Sequence, residues 1–536
     1  MAYGSIDRRR SWWGWGWEDH ALTDEQCGSY GALMSGLAES PIPAPSVDEI
    51  RIREPRVKPP DSLASIFSHQ PVDRVGHTYG KAYRDVVRAL ARNVENPPDL
   101  VAFPQSEEDV LGVLDWASES NVAVVPFGGG SSVVGGVEFR DPERPFVSLD
   151  MTRLNRVLEI DTVSLAARIQ GGVLGPDLEN QLRPSGFTLR HFPQSFEFSS
   201  LGGWIATRAG GHYATLHTHI DDFVESIRAV TPVGVSESWR LPGSGAGPSP
   251  DRLMCGSEGT LGVITEAWMR ITRRPAHKRS ASVAFTSSAD AFGAVRAIAQ
   301  SGLYPANCRL LDPGEAALSG ATERGEWVLV LGVESALHPV DGLLDDVMAL
   351  AMSFRGTNRS PQQRSDSETD PQRGQTDSAA EAWRSSFLRM PYVRDGMVRM
   401  GAIVETFETA TTWDRLESLY ADVNAEMAQV IQQVTGSPGL LNCRLTHVYT
   451  DGAAPYFTVI AAARRGSELA MWDEIKAASM EILHRHRATV THHHAVGRDH
   501  RPGYDRQRPD LFAGALRAVK DSLDPAGILN PGVLIG

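Results

Sequence analysis

Three short stretches rich in glycine and small hydroxyl residues limit what this chain can fold into. They read VVPFGGGSSVVGG at Val124–Gly136, PQSFEFSSLGGWIATRAGG at Pro193–Gly211 and CGSEGTLGVIT at Cys255–Thr265. Each couples glycines to a strand-like run, and a backbone without Cβ atoms lets N–H groups approach a phosphate closely. Any one of them could be a tight turn. Three in this order indicate a dinucleotide pyrophosphate site.

The first stretch matches neither of the two best-known phosphate-binding motifs. Its glycines do not have the G-x-G-x-x-G spacing of a Rossmann fingerprint, and no amphipathic helix follows directly. It also has no GK[ST] sequence, which a Walker A loop requires. Both sites are therefore excluded.

Length and composition describe an ordinary globular protein. The chain has 536 residues, which is too many for one hydrophobic core and predicts two or three domains. A net charge of −14 argues against nucleic-acid binding, because neutralising phosphates needs clustered Lys and Arg. The four cysteines form no CxxC pair, which argues against a disulfide framework and a zinc–thiolate site.

The sequence gives no sign of export or of a membrane span. The N-terminus has a basic start but no apolar segment of the kind that a secretory signal needs. No run approaches the ~20 apolar residues of a transmembrane helix. We therefore expect a cytoplasmic protein.

The pattern of elements predicts an α+β fold in four segments. Residues 1–95 read as irregular and helical, 96–275 as the dinucleotide-binding domain, 276–490 as a substrate or cap domain, and 491–536 as a C-terminal segment returning to the cofactor site. A helix is predicted around Lys81–Arg92, and another with Ser106 as its N-cap. The polar stretch 356–379 cannot bury enough apolar surface to offset its ordering entropy, so it is predicted to be a mobile loop.

The three glycine-rich stretches together resemble the FAD-binding domain of the vanillyl-alcohol-oxidase family, which is PCMH-type. The resemblance implies two small α/β subdomains with FAD between them, followed by an α+β substrate or cap domain. Some members tether FAD through a histidine near the position of Gly130, so its absence here implies non-covalent FAD. The implied cofactor-binding residues are Pro126, Gly128, Gly129, Gly130, Ser131, Ser132, Val133, Gln194, Ser195, Ser199, Ser200, Gly203, Thr207, Arg208, Ala209, Gly210, Glu258, Gly259, Thr260, Gly262, Val263 and Ile264.

Further motifs along the chain are similar to the alkyl-dihydroxyacetone-phosphate synthase family. They are SWWGWGWED, NCRLLD, PYVRDG, CRLTHVYTDGAAPYF and THHHAVG. The resemblance implies exchange of the acyl chain of acyl-dihydroxyacetone-phosphate for a fatty alcohol, a step of ether lipid synthesis. It implies an acid/base role for Tyr456, assisted by histidines, and anion binding by arginines. The implied catalytic residues are Tyr456, His492, His493, His494, Arg394 and Arg309.

Each of these residues also has a simpler interpretation. The arginines could be surface charges, Tyr456 could be core packing, and the histidine triplet could be a solvated patch or a metal site. No cysteine or closely spaced acidic residue completes a metal shell, so no metal is expected. The chain departs from the family at Gln194, where an acidic residue is typical, at Ala495, where glycine is common, and in TRAGG for TRASG.

Two other functions stay open. One is a FAD-dependent 2-hydroxy acid dehydrogenase of the D-lactate or glycolate type, or another FAD-linked oxidoreductase, although those relatives usually carry Gly-Glu-His-Gly where this chain has HHHA. The other is a non-catalytic flavin-binding or scaffold protein. The expected partners are a lipid phosphate and a fatty alcohol, with peripheral membrane contact and a homodimer as further expectations. The tryptophan cluster at residues 12–17 could be a packing plug or a membrane-interface belt.

Overall fold

A computed structural model describes residues 8–32, 36–217, 219–322, 324–360 and 378–535. Most of the predicted mobile loop 356–379 lies outside the described residues. Its described start includes a two-residue strand, Thr357–Asn358, which pairs with Val283 and Ala284. That part of the segment is therefore held by a sheet.

In its described part, the N-terminal segment contains three short α-helices and one short strand. The helix predicted around Lys81–Arg92 is confirmed as Tyr83–Leu90. The strand adds to the first sheet of the next domain. The elements are α1 Asp24–Gly31, β1 Phe67–Ser68, α2 Pro71–Gly76 and α3 Tyr83–Leu90.

The first subdomain is a four-stranded sheet with one long helix. The strand order is β1-β2-β4-β3, with β2, β4 and β3 parallel. Ser106 caps the helix as predicted, because its side chain accepts from Asp109 N. Residues 528–530 run beside β3, where Val124 N donates to Ile528 O at 2.8 Å and Asn530 N donates to Val124 O at 2.9 Å. The elements are β2 Leu100–Ala102, α4 Glu107–Glu119, β3 Ala123–Phe127 and β4 Phe146–Asp150.

The second subdomain is built on a five-stranded antiparallel sheet in the order β5-β6-β10-β8-β9. Short turns join β5 to β6 and β8 to β9, which is compatible only with antiparallel pairing. The second glycine-rich stretch begins α6 here, with Ser200 as the N-cap. The elements are β5 Val157–Asp161, β6 Ala166–Gln170, α5 Gly175–Leu182, β7 Phe187–Thr188, α6 Leu201–Thr207, α7 Ala214–His217, β8 Val224–Thr231, β9 Gly234–Glu237, α8 Pro250–Met254, β10 Val263–Arg270 and β11 Thr272–Arg273.

The cap domain is an eight-stranded antiparallel sheet with helices packed against it. The order is β15-β12-β14-β13-β18-β19-β16, and β17 pairs with β19. Phe407 and Phe457 stack on one face, in the core formed with α13 and α14. The elements are β12 His277–Phe285, α9 Ser288–Gln300, β13 Asn307–Leu311, α10 Pro313–Leu318, β14 Trp327–Ser335, α11 Asp341–Met352, β15 Thr357–Asn358, α12 Ser378–Arg399, β16 Ala402–Glu408, β17 Thr411–Thr412, α13 Trp413–Thr435, β18 Leu440–Val448, β19 Gly452–Ala462 and α14 Glu468–Arg485.

The C-terminal segment carries two helices, α15 Arg501–Gln507 and α16 Asp510–Leu523. Leu516 of α16 belongs to the core of the second subdomain. The Lys520 ammonium donates to the carbonyl of Thr260 in the third glycine-rich stretch. The segment thus ends beside the glycine-rich stretches. The α+β fold class is confirmed, and none of the described helices is long and apolar enough to cross a membrane.

Candidate active site

The three glycine-rich stretches meet the cap sheet around one cavity of about 530 Å³. Every predicted cofactor-binding residue lines this cavity except Arg208 and Thr260. The opposite wall comes from α10, α12, β16, β18 and β19 of the cap and from the histidine segment after α14. Residues far apart in the sequence therefore line the same cavity.

Glycine is required where the first stretch touches the other two. A Cβ on Gly128 would lie 2.1 Å from Ser200 Oγ, and one on Gly129 would lie 1.7 Å from the carbonyl oxygen of Phe198. A Cβ on Gly259 would lie 2.9 Å from Pro126 Cγ, and Gly259 also has a φ of +72°. A side chain at these positions would separate the stretches, so the close approach fixes the shape of the cavity.

The backbone of the first stretch fits the phosphates of a dinucleotide. Within the described part of the chain, the amide N–H groups of residues 128–133 donate to no protein acceptor. Polar groups at a partly buried loop need a partner, and consecutive amides in such a turn bind anions. The residues present therefore fit the pyrophosphate that the sequence predicted.

The two predicted cofactor residues that miss the cavity are held elsewhere. Arg208 ends α6 in the left-handed conformation, and its guanidinium pairs with Asp221 at 2.8 Å. Thr260 is buried and its hydroxyl donates to the carbonyl of Ser257. These bonds hold both side chains outside the lining of the cavity.

We call the cap side of the cavity, opposite the glycine-rich stretches, the reacting wall. At its centre lies Tyr456, which pairs with Arg444 across the β18–β19 hairpin. Side chains alternate along a strand, so Tyr456 and Thr458 face the cavity while Phe457 faces the core. The Arg444 guanidinium lies 3.9 Å from the centre of the Tyr456 ring and pairs with buried Glu315 of α10. The Tyr456 ring thus packs against the Arg444 guanidinium, whose position is held by Glu315.

Burial decides the protonation of this wall. It raises the pKa of Tyr456, and the opposing effects of Arg444 and a hydrogen bond with Thr406 do not offset it. It also lowers the pKa of His494 to about 4. Desolvation therefore favours the neutral phenol of Tyr456.

The histidine triplet is not a strand. Residues 492–494 form bends, and the amide N–H groups of all three donate to Oε1 of Glu408 at the end of β16. The backbone N–H groups of the triplet therefore bond to the Glu408 side chain and not to a neighbouring strand. His493 and His494 consequently both line the cavity, whereas strand alternation would separate them.

Glu408 is the acidic residue that the sequence did not associate with the histidines. Its side chain is fully buried, and Oε2 lies 2.6 Å from Nδ1 of His493. Burial alone would raise the pKa of Glu408, but the His493 and His494 rings hold that pKa well below its ordinary value. Glu408 is therefore a carboxylate.

Two predicted catalytic residues do not line the cavity. His492 turns outward, where its Nε2 lies 2.7 Å from the Tyr449 hydroxyl. Arg309 is buried on β13, with its guanidinium 3.5 Å from the carbonyl of His212 and 5.3 Å from the Phe387 ring. Packing against His212 and against Phe387 of α12 therefore places Arg309 outside the lining of the cavity.

Arg394 does line the cavity, on α12. Its guanidinium donates to Oδ1 of the neighbouring Asp395 and, at 2.6 Å, to the carbonyl of Lys81. These bonds fix its orientation. The side chain is therefore placed at the cavity by the N-terminal segment as well as by its own helix.

Trp15, the tryptophan of the cluster that lies at the cavity, packs in the protein interior and does not form part of a membrane-interface belt. Trp15 is buried, lines the cavity and meets the Phe198 ring edge-on at 5.7 Å. Its amide donates to Asp395. The N-terminal segment therefore forms part of the cavity wall, which the aromatic run alone did not indicate.

Other lining residues gave no recognisable signal in the sequence. Asn530 joins two glycine-rich stretches, since its side-chain amide donates to the carbonyls of Gly136 and Glu258. An apolar wall also lines the cavity, and its residues come from six separate elements. Its members are Tyr30, Leu318, Met390, Val393, Met397, Val404, Leu440 and Ile460.

Two groups of possible metal ligands occur in the described chain, His447 with His492 and His493, and Glu408 with His493 and His494. The sequence predicted no metal because it showed no nearby acidic residue, and Glu408 supplies one. However, His492 and His493 already bond to each other at 3.0 Å, and His493 contacts Glu408. This bonding favours a hydrogen-bond network over a metal site.

Comparisons with known proteins agree with this geometry. Residues 98–237 match the family described as "FAD binding domain", and residues 274–534 match "FAD linked oxidases, C-terminal domain". The first match contains the first two glycine-rich stretches. The second contains the whole reacting wall of the cap and the histidine segment.

The chain is 32% identical to an alkyldihydroxyacetonephosphate synthase of Dictyostelium discoideum, over 92% of this chain and 83% of that protein. It is also 32% identical to one of Trypanosoma brucei brucei, over 90% and 82%. The chain belongs to the alkyldihydroxyacetonephosphate synthase family. A solved structure of such a synthase superposes with a TM-score of 0.82 at 27% identity, covering 97% of this chain and 98% of that one. The family resemblance and the FAD cofactor predicted from the sequence are confirmed.

Proposed function

We propose that this synthase-family enzyme exchanges the acyl chain of acyl-dihydroxyacetone-phosphate for a fatty alcohol and so forms the ether bond of a lipid. The observation that carries the proposal is the composition of the cavity. One space joins a dinucleotide cradle, a buried acid–base set and an apolar wall. Bound FAD supplies the reactive isoalloxazine ring, and the overall exchange has no net oxidation.

The proton at the carbon beside the substrate ketone needs a base and a partner acid. We assign the base to His493, because the Glu408 carboxylate beside Nδ1 keeps a proton on that nitrogen and leaves Nε2 as the acceptor. We assign the acid to Tyr456, because its raised pKa keeps the phenol protonated.

The anionic groups of the substrate meet two guanidinium groups on the cavity wall. Arg394 is oriented by Asp395, and Arg444 is oriented by Glu315. Planar guanidinium groups suit phosphate and the departing carboxylate better than a lysine would. Arg394 and Arg444 therefore replace the pair Arg394 and Arg309 as the proposed anion-binding residues.

The apolar wall suits the hydrocarbon chains of both substrates. Leu318 and Leu440 line the cavity from the cap elements α10 and β18, and Met390 and Met397 line it from α12. Methionine fills irregular apolar space and adapts to different occupants. The wall can accept an acyl chain and then an alcohol of similar length.

We propose that FAD binds non-covalently. A Cβ on Gly130, near the place where relatives carry the tethering histidine, would lie 2.3 Å from the Phe127 ring, and Gly130 has a φ of +65°. A larger side chain therefore has no room. After denaturation and ultrafiltration, all the flavin should pass into the filtrate, whereas yellow protein in the retentate would show a covalent bond.

The proposal is tested with palmitoyl-dihydroxyacetone-phosphate and labelled hexadecanol. We expect labelled ether lipid and one released palmitate for each ether formed. A parallel assay supplies D-lactate or glycolate with a reducible dye. Dye reduction without any ether product would make the protein a 2-hydroxy acid dehydrogenase and would overturn the synthase function.

We also propose that the enzyme works in the cytoplasm and contacts membranes peripherally, because both of its substrates partition into bilayers. Binding of the purified holoenzyme to phospholipid vesicles in a flotation assay tests this contact. Protein that stays with the soluble fraction at every lipid concentration would contradict it. The homodimer stays a prediction, which light scattering of the holoenzyme checks.

A further inference from the structure

A row of four hydrogen-bonding side chains leads away from the cavity. His493 lines the cavity, and its Nδ1 lies 3.0 Å from Nδ1 of His492. Nε2 of His492 lies 2.7 Å from the Tyr449 hydroxyl, which lies 2.7 Å from Nε2 of His219. The row thus connects the cavity with a partly exposed histidine at the rim of the second subdomain.

The positions of the protons in this row follow from its outer end. Nδ1 of His219 faces the carbonyl of Arg208 at 3.1 Å, and a carbonyl can only accept, so Nδ1 carries the proton. Nε2 of His219 must then accept from Tyr449. The tyrosine oxygen in turn accepts from Nε2 of His492, whose Nδ1 is left to accept from His493. One tautomer of each ring satisfies every bond in the row, with the Nδ1 proton of His493 shared between His492 Nδ1 at 3.0 Å and Glu408 Oε2 at 2.6 Å.

The groups around His492 and His219 keep these two rings neutral. Burial lowers the pKa of His492 well below its ordinary value, with His219 and His493 adding to the effect and Glu408 opposing it. Burial also lowers the pKa of His219, although the Arg208 carbonyl and Asp221 oppose it. Neutral imidazoles with one donor and one acceptor nitrogen pass a proton on rather than keep it.

We propose that His493, His492, Tyr449 and His219 form a proton relay between the cavity and solvent. It rests on the proposed role of His493 as the base. A proton taken up at Nε2 of His493 releases the Nδ1 proton to His492, which passes its Nε2 proton to Tyr449. Tyr449 passes its hydroxyl proton to Nε2 of His219. His219 then holds two ring protons and gives one to water.

The relay adds two positioning residues to the reaction, Tyr449 and His219, neither of which lines the cavity. Tyr449 follows β18 in the turn to β19, where its ring stacks near that of His219 at 6.1 Å. Tyr449→Phe therefore removes the bridging hydroxyl and leaves the ring. Tyr79→Phe is a matched control, since the Tyr79 hydroxyl donates to Asn93 far from the row.

The test compares wild-type, Tyr449→Phe, His219→Gln and Tyr79→Phe holoenzymes in the labelled-hexadecanol assay. We expect kcat to fall about tenfold in the first two variants, less than the roughly 10²–10⁴-fold effect of losing an acid or base itself. KM for palmitoyl-dihydroxyacetone-phosphate should stay unchanged. The solvent deuterium isotope effect on kcat should grow, because proton release becomes slow. Tyr79→Phe should behave as wild type.

Nitrogen NMR of histidine-labelled protein gives a readout that does not depend on turnover. The Nε2 resonance of His219 should shift in Tyr449→Phe, because that nitrogen loses its donor. Unchanged kcat in both row variants, or a resonance that does not move, would overturn the relay. Activity that is lost on EDTA dialysis and restored by Zn²⁺ would overturn it in favour of a metal site. An inactive wild type would count against the proposed function, and the NMR result would still decide the row.

Discussion

The two walls of the cavity are built in different ways. The cofactor wall is mainly backbone from three glycine-rich stretches, and each stretch is continuous in the sequence. The reacting wall is side chains from several separate elements, held by ion pairs such as Arg444 with Glu315. A backbone site needs glycine at fixed places, whereas a side-chain site needs partners that only the tertiary structure supplies.

This difference predicts that the two walls fail differently. A volume change in the cofactor wall should release FAD, because the stretches are in direct contact there. A chemical change in the reacting wall should stop turnover and leave FAD in place. FAD content and turnover, measured on the same preparation, therefore separate the two walls.

Gly129→Ala should have the largest effect, because its Cβ would lie 1.7 Å from the Phe198 carbonyl oxygen and the loop must move. We expect at least about tenfold weaker FAD binding, equivalent to roughly 1.4 kcal/mol, and turnover lost with the cofactor. FAD is measured by absorbance after gel filtration. Gly514→Ala is the control, since a Cβ there meets nothing within 4 Å. Full FAD content in Gly129→Ala would mean that the contact does not shape the cradle.

Tyr456→Phe should lower turnover by about 10³-fold, within the range for losing an acid or base. FAD content should equal that of wild type, because the phenol lies on the opposite wall. Flavin absorbance and the labelled-hexadecanol assay on one sample measure both. Full activity in this variant would remove Tyr456 from the mechanism.

Arg444→Gln should lower kcat about tenfold or more. It removes the cation 3.9 Å from the Tyr456 ring, so the pKa of Tyr456 should rise further and the phenol should donate less readily. The alkaline limb of the pH–rate profile should accordingly move to higher pH. Arg444→Lys keeps the charge and should recover part of the rate. If the pH–rate profiles of both variants had the same alkaline limb as wild type, Arg444 would act only through packing.

Glu258→Gln should change the pH dependence of stability. Burial raises the pKa of Glu258 from 4.5 to about 7, although its carboxylate accepts from Val496 N and Gly497 N. Its folded-state pKa exceeds the unfolded value, so this contribution is present at low pH and is lost as pH rises between these values. Wild type should lose roughly 3 kcal/mol of stability across the window relative to the variant. Parallel urea-unfolding curves for the two proteins would contradict this.

The sequence was sufficient for the cofactor wall because its requirement is local. Glycines at close contacts can be read directly from the sequence. All predicted cofactor-binding residues except Arg208 and Thr260 line the cavity. The reacting wall was harder. Glu408 lies more than eighty positions before the histidines that it binds, and Arg309 is hidden behind the wall by packing that no motif records. His492 turned away because its neighbours form bends rather than a strand.

The most direct test of the account is turnover in a sealed anaerobic cuvette without any electron acceptor. The holoenzyme receives palmitoyl-dihydroxyacetone-phosphate and excess labelled hexadecanol, and ether product and flavin absorbance are followed together. We predict many turnovers per flavin, equal amounts of ether and palmitate, and an oxidised flavin band that returns to its starting height. Product limited to one per flavin, with the band permanently bleached, would show net oxidation and contradict the exchange reaction.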